Sequence, residues 1–235
     1  VKKYALRLGM FALISEIPFN LAICGQASNL EYQNVYFTLL LGLLALCAFV
    51  FFEKVSKEPE KDLPAPLRMA FLATGAILPV IYLPISDLLD PLAFENRVLL
   101  CTLTAGAAVT GYFFYGMRRG LRRLQTVCAD MTALALCMIA AERLHTDYAG
   151  MGVLTIAVMY RLRRRRALSM AAGCAVLSVM SLTELPAFFA VIPIALYNGR
   201  RGLKMKYFFY AFYPVHLALL YLTAVLLGLG GVTLL

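Results

Sequence analysis

Three ionisable side chains stand inside apolar runs, where solubility gives no reason to keep them: Glu16, Asp130 and His216. A charge in hydrocarbon is costly unless it meets a partner, water or a substrate. Glu16 lies nine residues beyond Arg7, Asp130 seven beyond Arg123, and His216 ten beyond Lys206. At about 1.5 Å per helical residue, those separations put all three roughly 10–15 Å from one boundary. A histidine and a carboxylate at one depth can form an acid/base pair, the imidazole as general base and the carboxylate orienting its ring. The plainer alternative is three separate interhelical hydrogen bonds. A transition-metal site is not expected. His145 and His216 are the two histidines, and Cys24, Cys47, Cys101, Cys128, Cys137 and Cys174 include no CxxC pair.

Helices in a bilayer are what would position these groups. The chain is 62% apolar and 15% charged, against roughly 25% charged in soluble domains. That leaves too little polar surface to coat a water-soluble globule. A crossing helix needs about 20 mostly apolar residues. Candidate spans are 4–24, 34–52, 67–83, 97–115, 124–141, 148–160, 167–183, 185–197 and 207–229. The sixth and eighth are short. A kink at Leu185-Pro186, in place of a turn, would merge the seventh with the eighth. The expected fold is all-α: one polytopic transmembrane bundle over residues 1–235, with about nine spans and a charged, Pro-rich linker loop at 53–66. The stretches 103–108 and 171–173 are rich in small residues and predict close helix packing. The chain opens Val1-Lys2-Lys3 with no initiating Met, which reads as a piece of a longer protein.

Basic residues test the span count, because cytoplasmic loops retain Lys and Arg. With the amino end cytoplasmic, the runs Lys54–Lys61, Arg118–Arg123, Arg161–Arg166 and Arg200–Lys206 all fall inside. Only Arg97 and Arg143 of the 22 basic residues fall outside. Merging spans seven and eight would expel a whole basic cluster. This pattern explains the net charge of +9 without nucleic acid.

The same basic face suits a phosphorylated cytosolic donor, since guanidinium forks match phosphate oxygens. Asn198-Gly199-Arg200-Arg201-Gly202, followed by Lys204, is the best candidate loop, because its glycines let the backbone come close. There is no Walker-type Gly-Lys-Ser/Thr run, so nucleotide hydrolysis is not expected.

Several segments resemble the TraX family, whose founding member acetylates the amino terminus of conjugative pilin. They are Lys3-Tyr4-Ala5-Leu6-Arg7 with the run from Phe11 through Ser15-Glu16-Ile17-Pro18 to Leu21, Asn34 to Gly42, Asp147-Tyr148 with Gly150 and Gly152, Tyr197-Asn198-Gly199, and Phe212-Tyr213-Pro214-Val215-His216-Leu217. The resemblance implies an integral acyltransferase of the bacterial inner membrane, moving an acetyl group from cytosolic acetyl-CoA to an unidentified amine or hydroxyl acceptor. It marks Glu16, Asn34, Thr38, Asp147, Tyr148, Asn198, Tyr213 and His216 as functional positions. It gives Asp130 no support. The expected roles are catalysis for His216, Glu16 and Tyr213. Donor binding falls to Asn198, Arg200, Arg201 and Lys204, and acceptor binding to Asn34, Thr38, Asp147 and Tyr148. Family members usually begin with further spans, the first carrying an Asp-His pair, and this chain starts past them. His216 is therefore expected as base, orienter or binder. A proton-coupled transporter or a non-catalytic assembly partner is the competing reading, since buried carboxylates and a histidine serve transport as well.

Overall fold

The computed structural model describes residues 2–25, 32–57, 64–85, 94–200, 202–203 and 205–228. They form α1 (Lys2–Cys24), α2 (Val35–Lys57), α3 (Ala65–Ile85), α4 (Phe94–Arg119), α5 (Leu121–Arg143), α6 (Ala149–Arg161), α7 (Arg166–Met180), a 3-10 helix (Leu182–Ala190), α8 (Val191–Leu196) and α9 (Lys206–Leu226). No strand occurs among the described residues. Five helices (α1, α2, α3, α5 and α9) are long and apolar enough to cross a membrane.

Helices overrun the apolar stretches at the basic end, where charged side chains tolerate the boundary. Helix α2 continues to Lys57 because Glu53 and Lys57, one turn apart, pair at 2.8 Å. The expected linker is thereby shortened, and its residues 58–63 lie outside the described ones. Between α4 and α5 one residue suffices for the turn: Gly120, with φ +87°, a conformation open to glycine at no Cβ cost.

The seventh and eighth apolar stretches stay separate. Ser181 is extended and ends α7, and its hydroxyl accepts from the Thr183 N–H at 3.3 Å. Pro186 then holds the chain in the tighter 3-10 form. Arg166, the first residue of α7, lies over the ring of Tyr197, just past α8, at 5.3 Å. The segment 182–196 therefore folds back along α7 as a hairpin.

Helices α2, α5 and α6 enclose an apolar core of Ala45, Phe49, Leu134, Met138, Ala141, Val153 and Ala157, closed by Tyr82 from α3. Small residues set the spacing. A Cβ on Gly42 would stand 2.4 Å from Ile156, and one on Gly173 would stand 2.8 Å from Met159. The small-residue expectation holds at Gly173 but fails at Gly106, beside which nothing lies within 4 Å.

Helix α9 packs beside α1 and runs parallel to it: Phe11 stacks on Tyr210 at 4.7 Å, and Phe19 packs with Leu217. The same register brings Glu16 level with Val215, between Tyr213 and His216. Pro214 lies inside α9 and leaves the Tyr210 carbonyl without its helical N–H partner. The Tyr36 hydroxyl donates to that carbonyl at 3.2 Å, as a buried backbone acceptor requires. A proline in one helix is thus answered by a tyrosine from another.

Candidate functional site

The polar centre is built where two loops enter the bundle. Residues 32–34, ahead of α2, lie against residues 145–147, between α5 and α6. The Gln33 N–H donates to the His145 carbonyl at 3.0 Å, and the Asp147 N–H donates to the Gln33 carbonyl at 2.8 Å. Buried non-helical backbone must have its polar groups paired, and these two bonds engage both backbone groups of Gln33. The second loop is tightly wound. His145, Tyr148 and Ala149 all have positive φ, at 46°, 63° and 44°, which side-chain-bearing residues adopt at a cost of about 1–2 kcal/mol each. Three neighbouring exceptions mark a turn held by its surroundings. The Glu142 carboxylate holds it from α5, accepting from the Gly150 N–H at 3.1 Å and the Tyr82 hydroxyl at 2.7 Å. Gly150 and Gly152 admit these neighbours: a Cβ would strike the Tyr82 hydroxyl at 2.4 Å or Thr38 at 2.6 Å. Helix α6, which follows, runs for only 13 residues.

Asn34 is the clasp. It is fully buried, at 0% exposure. Its side-chain amide donates to the Ala12 carbonyl at 2.8 Å and to Glu16 Oε2, while its Oδ1 accepts from the Tyr36 N–H at 3.0 Å. One side chain therefore caps α2 and fixes the α1 carboxylate. Asn20, one turn beyond Glu16 and 1% exposed, lies beside the same carboxylate. Glu16 Oε1 and Thr146 Oγ1 are buried without a hydrogen-bond partner among the described residues. One turn into α2, the Thr38 hydroxyl donates to the Asp147 carbonyl. The Asp147 carboxylate accepts from the Tyr32 hydroxyl at 3.2 Å. Burial pushes the Asp147 carboxyl above its ordinary range, and the Tyr32 bond partly offsets this.

Helix α9 brings Tyr213 and His216 to this centre. Tyr213 meets Tyr36 edge-on at 5.1 Å, with the Val35 backbone N–H at its hydroxyl and the carboxyls of Asp147 and Glu16 within electrostatic range. His216 is half-buried, stacked on Phe212 at 5.0 Å and edge-on to Tyr213 at 5.5 Å. Its Nδ1 lies 2.9 Å from the Phe212 carbonyl. A carbonyl can only accept, so Nδ1 carries a proton, and in the neutral ring Nε2 keeps the lone pair. Among the described residues His216 makes no hydrogen bond to Glu16; Tyr213 lies near both.

The expected site residues thus divide into two groups. Glu16, Asn34, Thr38, Asp147, Tyr148, Tyr213 and His216 gather at the loop end. Asn198 and Arg200 are exposed beyond α8, in a turn where Asn198 Oδ1 accepts from the Arg200 N–H at 2.9 Å. Arg201 and Lys204 lie outside the described residues. Asp130 does not share the depth of Glu16. It faces Glu53 and Lys57 at the far end of α2, with Arg161 3.7 Å from its carboxylate. The short α6 ends at Arg161, so guanidinium groups reach that level, and counting residues from Arg123 alone misplaced it. Sequence reasoning also passed over Asn20, Tyr32 and Tyr36. Asn20 was legible, standing four residues from Glu16 on one helical face.

A search of curated proteins and of solved structures finds no match. The family model for the TraX protein matches residues 1–61 and 99–224, which takes in every gathered side chain, and this membrane protein belongs to the TraX family.

Proposed function

We propose that the protein is an integral-membrane acyltransferase that moves an acetyl group from cytosolic acetyl-CoA to an amine or hydroxyl acceptor. The observation that carries this reading is the convergence of Glu16, Asn34, Asp147, Tyr213 and His216 on one level of the bundle. His216 Nε2 takes the proton of the acceptor as its nitrogen or oxygen attacks the thioester carbonyl. Tyr213 donates to the oxyanion of the tetrahedral intermediate. Collapse expels the CoA thiolate, which recovers the proton from the imidazolium. Glu16, held by Asn34, steadies the charged form of the site, and Asp147 and Tyr148 receive the acceptor from the loop end. The proposed setting is the bacterial inner membrane, with one domain of nine spans, amino end in the cytoplasm and carboxyl end outside. The parallel course of α1 and α9 supports an odd number of crossings.

The test uses the full-length protein in detergent with acetyl-CoA. A ligand at about 100 times its Kd stabilises by about 2.7 kcal/mol, so the melting temperature should rise by several degrees with acetyl-CoA and not with acetate. No shift at saturating donor removes the reading.

A further inference from the structure

At the basic end of the bundle, α2, α4, α5, α6 and the turn after α6 line an open cavity of about 460 Å³. That volume suits a small-molecule ligand. Its wall carries Lys57, Arg123, Arg161, Arg163 and Arg164 against two carboxylates, Glu53 and Asp130. The carboxylates are already engaged: Glu53 pairs with Lys57 at 2.8 Å, and Asp130 lies 3.7 Å from Arg161. Asp130 is 4% exposed, and its Oδ1 has no hydrogen-bond partner among the described residues. It holds Arg161 toward the cavity at the level where α6 ends. The Arg163 guanidinium is laid over the Tyr160 ring at 4.0 Å and donates to the Tyr160 carbonyl at 2.9 Å. Arg123 and Arg164 have no hydrogen-bond acceptor among the described residues. Two guanidinium forks from different elements, without an acceptor among the described residues and with three further cations around them, are a donor set for a ligand with more than one phosphate group.

The positive-inside pattern puts arginines at this end of a membrane protein without any site. It does not require four of them and a lysine around one concave space, nor a buried carboxylate aiming one of them. We propose that this cavity binds a phosphate-bearing ligand through Arg123 and Arg164. On the acyltransferase reading, on which this identification rests, the ligand is the diphosphate end of the acyl donor. The geometry fits a donor that carries its reactive group on an arm. From the cavity wall at Phe49–Lys57, α2 runs about 16–28 Å to Thr38 in the polar centre, past the apolar core. The Arg161–Arg166 turn also joins this cavity to the exposed Asn198–Arg200 stretch, since Arg166 covers Tyr197 at 5.3 Å.

The experiment measures binding to the full-length protein in neutral detergent, by calorimetry, with three probes: CoA, inorganic pyrophosphate and short-chain phosphatidylglycerol. The variants are Arg123→Gln/Arg164→Gln, the charge-keeping Arg123→Lys/Arg164→Lys, and Arg119→Gln, at an exposed arginine of the same basic end that does not line the cavity. The expected result is CoA affinity about tenfold or more weaker in the Gln pair, intermediate in the Lys pair, and within about twofold of the parent for Arg119→Gln. The Lys pair retains the topogenic charge, so it controls for insertion. CoA affinity unchanged in both pairs overturns the cavity assignment and leaves the acyltransferase reading standing. Pyrophosphate or phosphatidylglycerol binding that needs Arg123 and Arg164, without CoA binding, supports the phosphate site and overturns its identification with the donor. No binding by any probe overturns the proposal entirely.

Discussion

Asn34→Ala is the substitution that bears most directly on how the polar centre is held. Three interactions go at once: the cap on the Tyr36 N–H, the bond to the Ala12 carbonyl and the bond to Glu16. Loss of an N-cap costs about 1 kcal/mol. Loss of a hydrogen bond to a charged group costs about 1.5–3 kcal/mol, most of it from leaving a buried partner unmet. The Ala12 carbonyl retains its helical position, so its share is small. The total is about 3 kcal/mol, which for a chain of this size lowers the melting temperature by about 6–12 °C.

The chain contains no tryptophan, so the readout is a thiol-reactive dye. Cys128 and Cys174, at 0% and 2% exposure, become reactive only on unfolding. Asn34→Ser separates the terms. It keeps an oxygen for the cap but cannot span to Glu16, and should recover only about 1 kcal/mol. In a Glu16→Leu background, Asn34→Ala should cost distinctly less than in the parent, because residues in contact are not additive. Equal costs in the two backgrounds, or a melt within about 2 °C of the parent, would refute the clasp.

His216→Gln should insert and melt like the parent while losing acetyl transfer by about 100-fold or more, as labelled acetyl incorporation reads; Glu16→Gln should lose less, since an amide still accepts from Asn34. Asp147→Asn should be at least as stable as the parent at pH 7. Burial raises the Asp147 carboxyl, so the folded state holds that proton more tightly than the unfolded chain. Its contribution is therefore full below the unfolded value of about 3.9 and declines as pH rises through the raised one. The variant's melting temperature should fall less over that interval, and an identical pH profile would contradict the burial argument. Reporter fusions after Gly120, Arg166 and Lys206 should all report cytoplasm; an external signal at any of them breaks the nine-span map there.

The helices were legible because apolar runs and basic punctuation are local signals. Even the turn at Ser181 could be read from the Arg clusters on either side of it. The site was legible only in part. Glu16 and His216 were visible as costly groups at matching depth. Asn34, Thr38 and Asp147 were reached through the resemblance, because nothing in their own neighbourhoods announces that two loops meet inside the bundle. Gln33 and His145 stand more than a hundred residues apart, and their pairing is a property of the packed helices alone. Tyr36 shows the same limit. Its hydroxyl has a partner only because Pro214, on another helix, leaves the Tyr210 carbonyl free. Asp130 failed for a related reason: its depth is set by where α6 ends, not by its distance from Arg123.

The distribution of polar groups along α2 bears on what the molecule must do. Asn34 and Thr38 serve the loop end, Glu53 and Lys57 serve the basic cavity, and residues 39–52 between them are entirely apolar. In the matching stretches of α5 and α6, Thr132 donates to the Cys128 carbonyl at 2.8 Å and lies 2.9 Å from the Thr74 hydroxyl of α3, while Thr155 donates to the Met151 carbonyl at 2.8 Å within its own helix. A relay of protons through α2, α5 and α6 would need side chains that join these helices, and neither hydroxyl bonds from one of the three to another. A transporter moving protons through α2, α5 and α6 is therefore poorly served by this layer. A ligand that anchors its charged end in the basic cavity and reaches the polar centre by an uncharged, acyl-bearing arm carries no charge through this layer, and an amide on that arm needs a partner along the way. On the acyltransferase reading, the apolar layer keeps donor phosphates and acceptor on opposite sides of a dry barrier. Widening that layer at Gly42 or Ala45 is then not needed for chemistry, but filling it is harmful, and Gly42→Ala should disturb Ile156 and weaken transfer before it weakens phosphate binding.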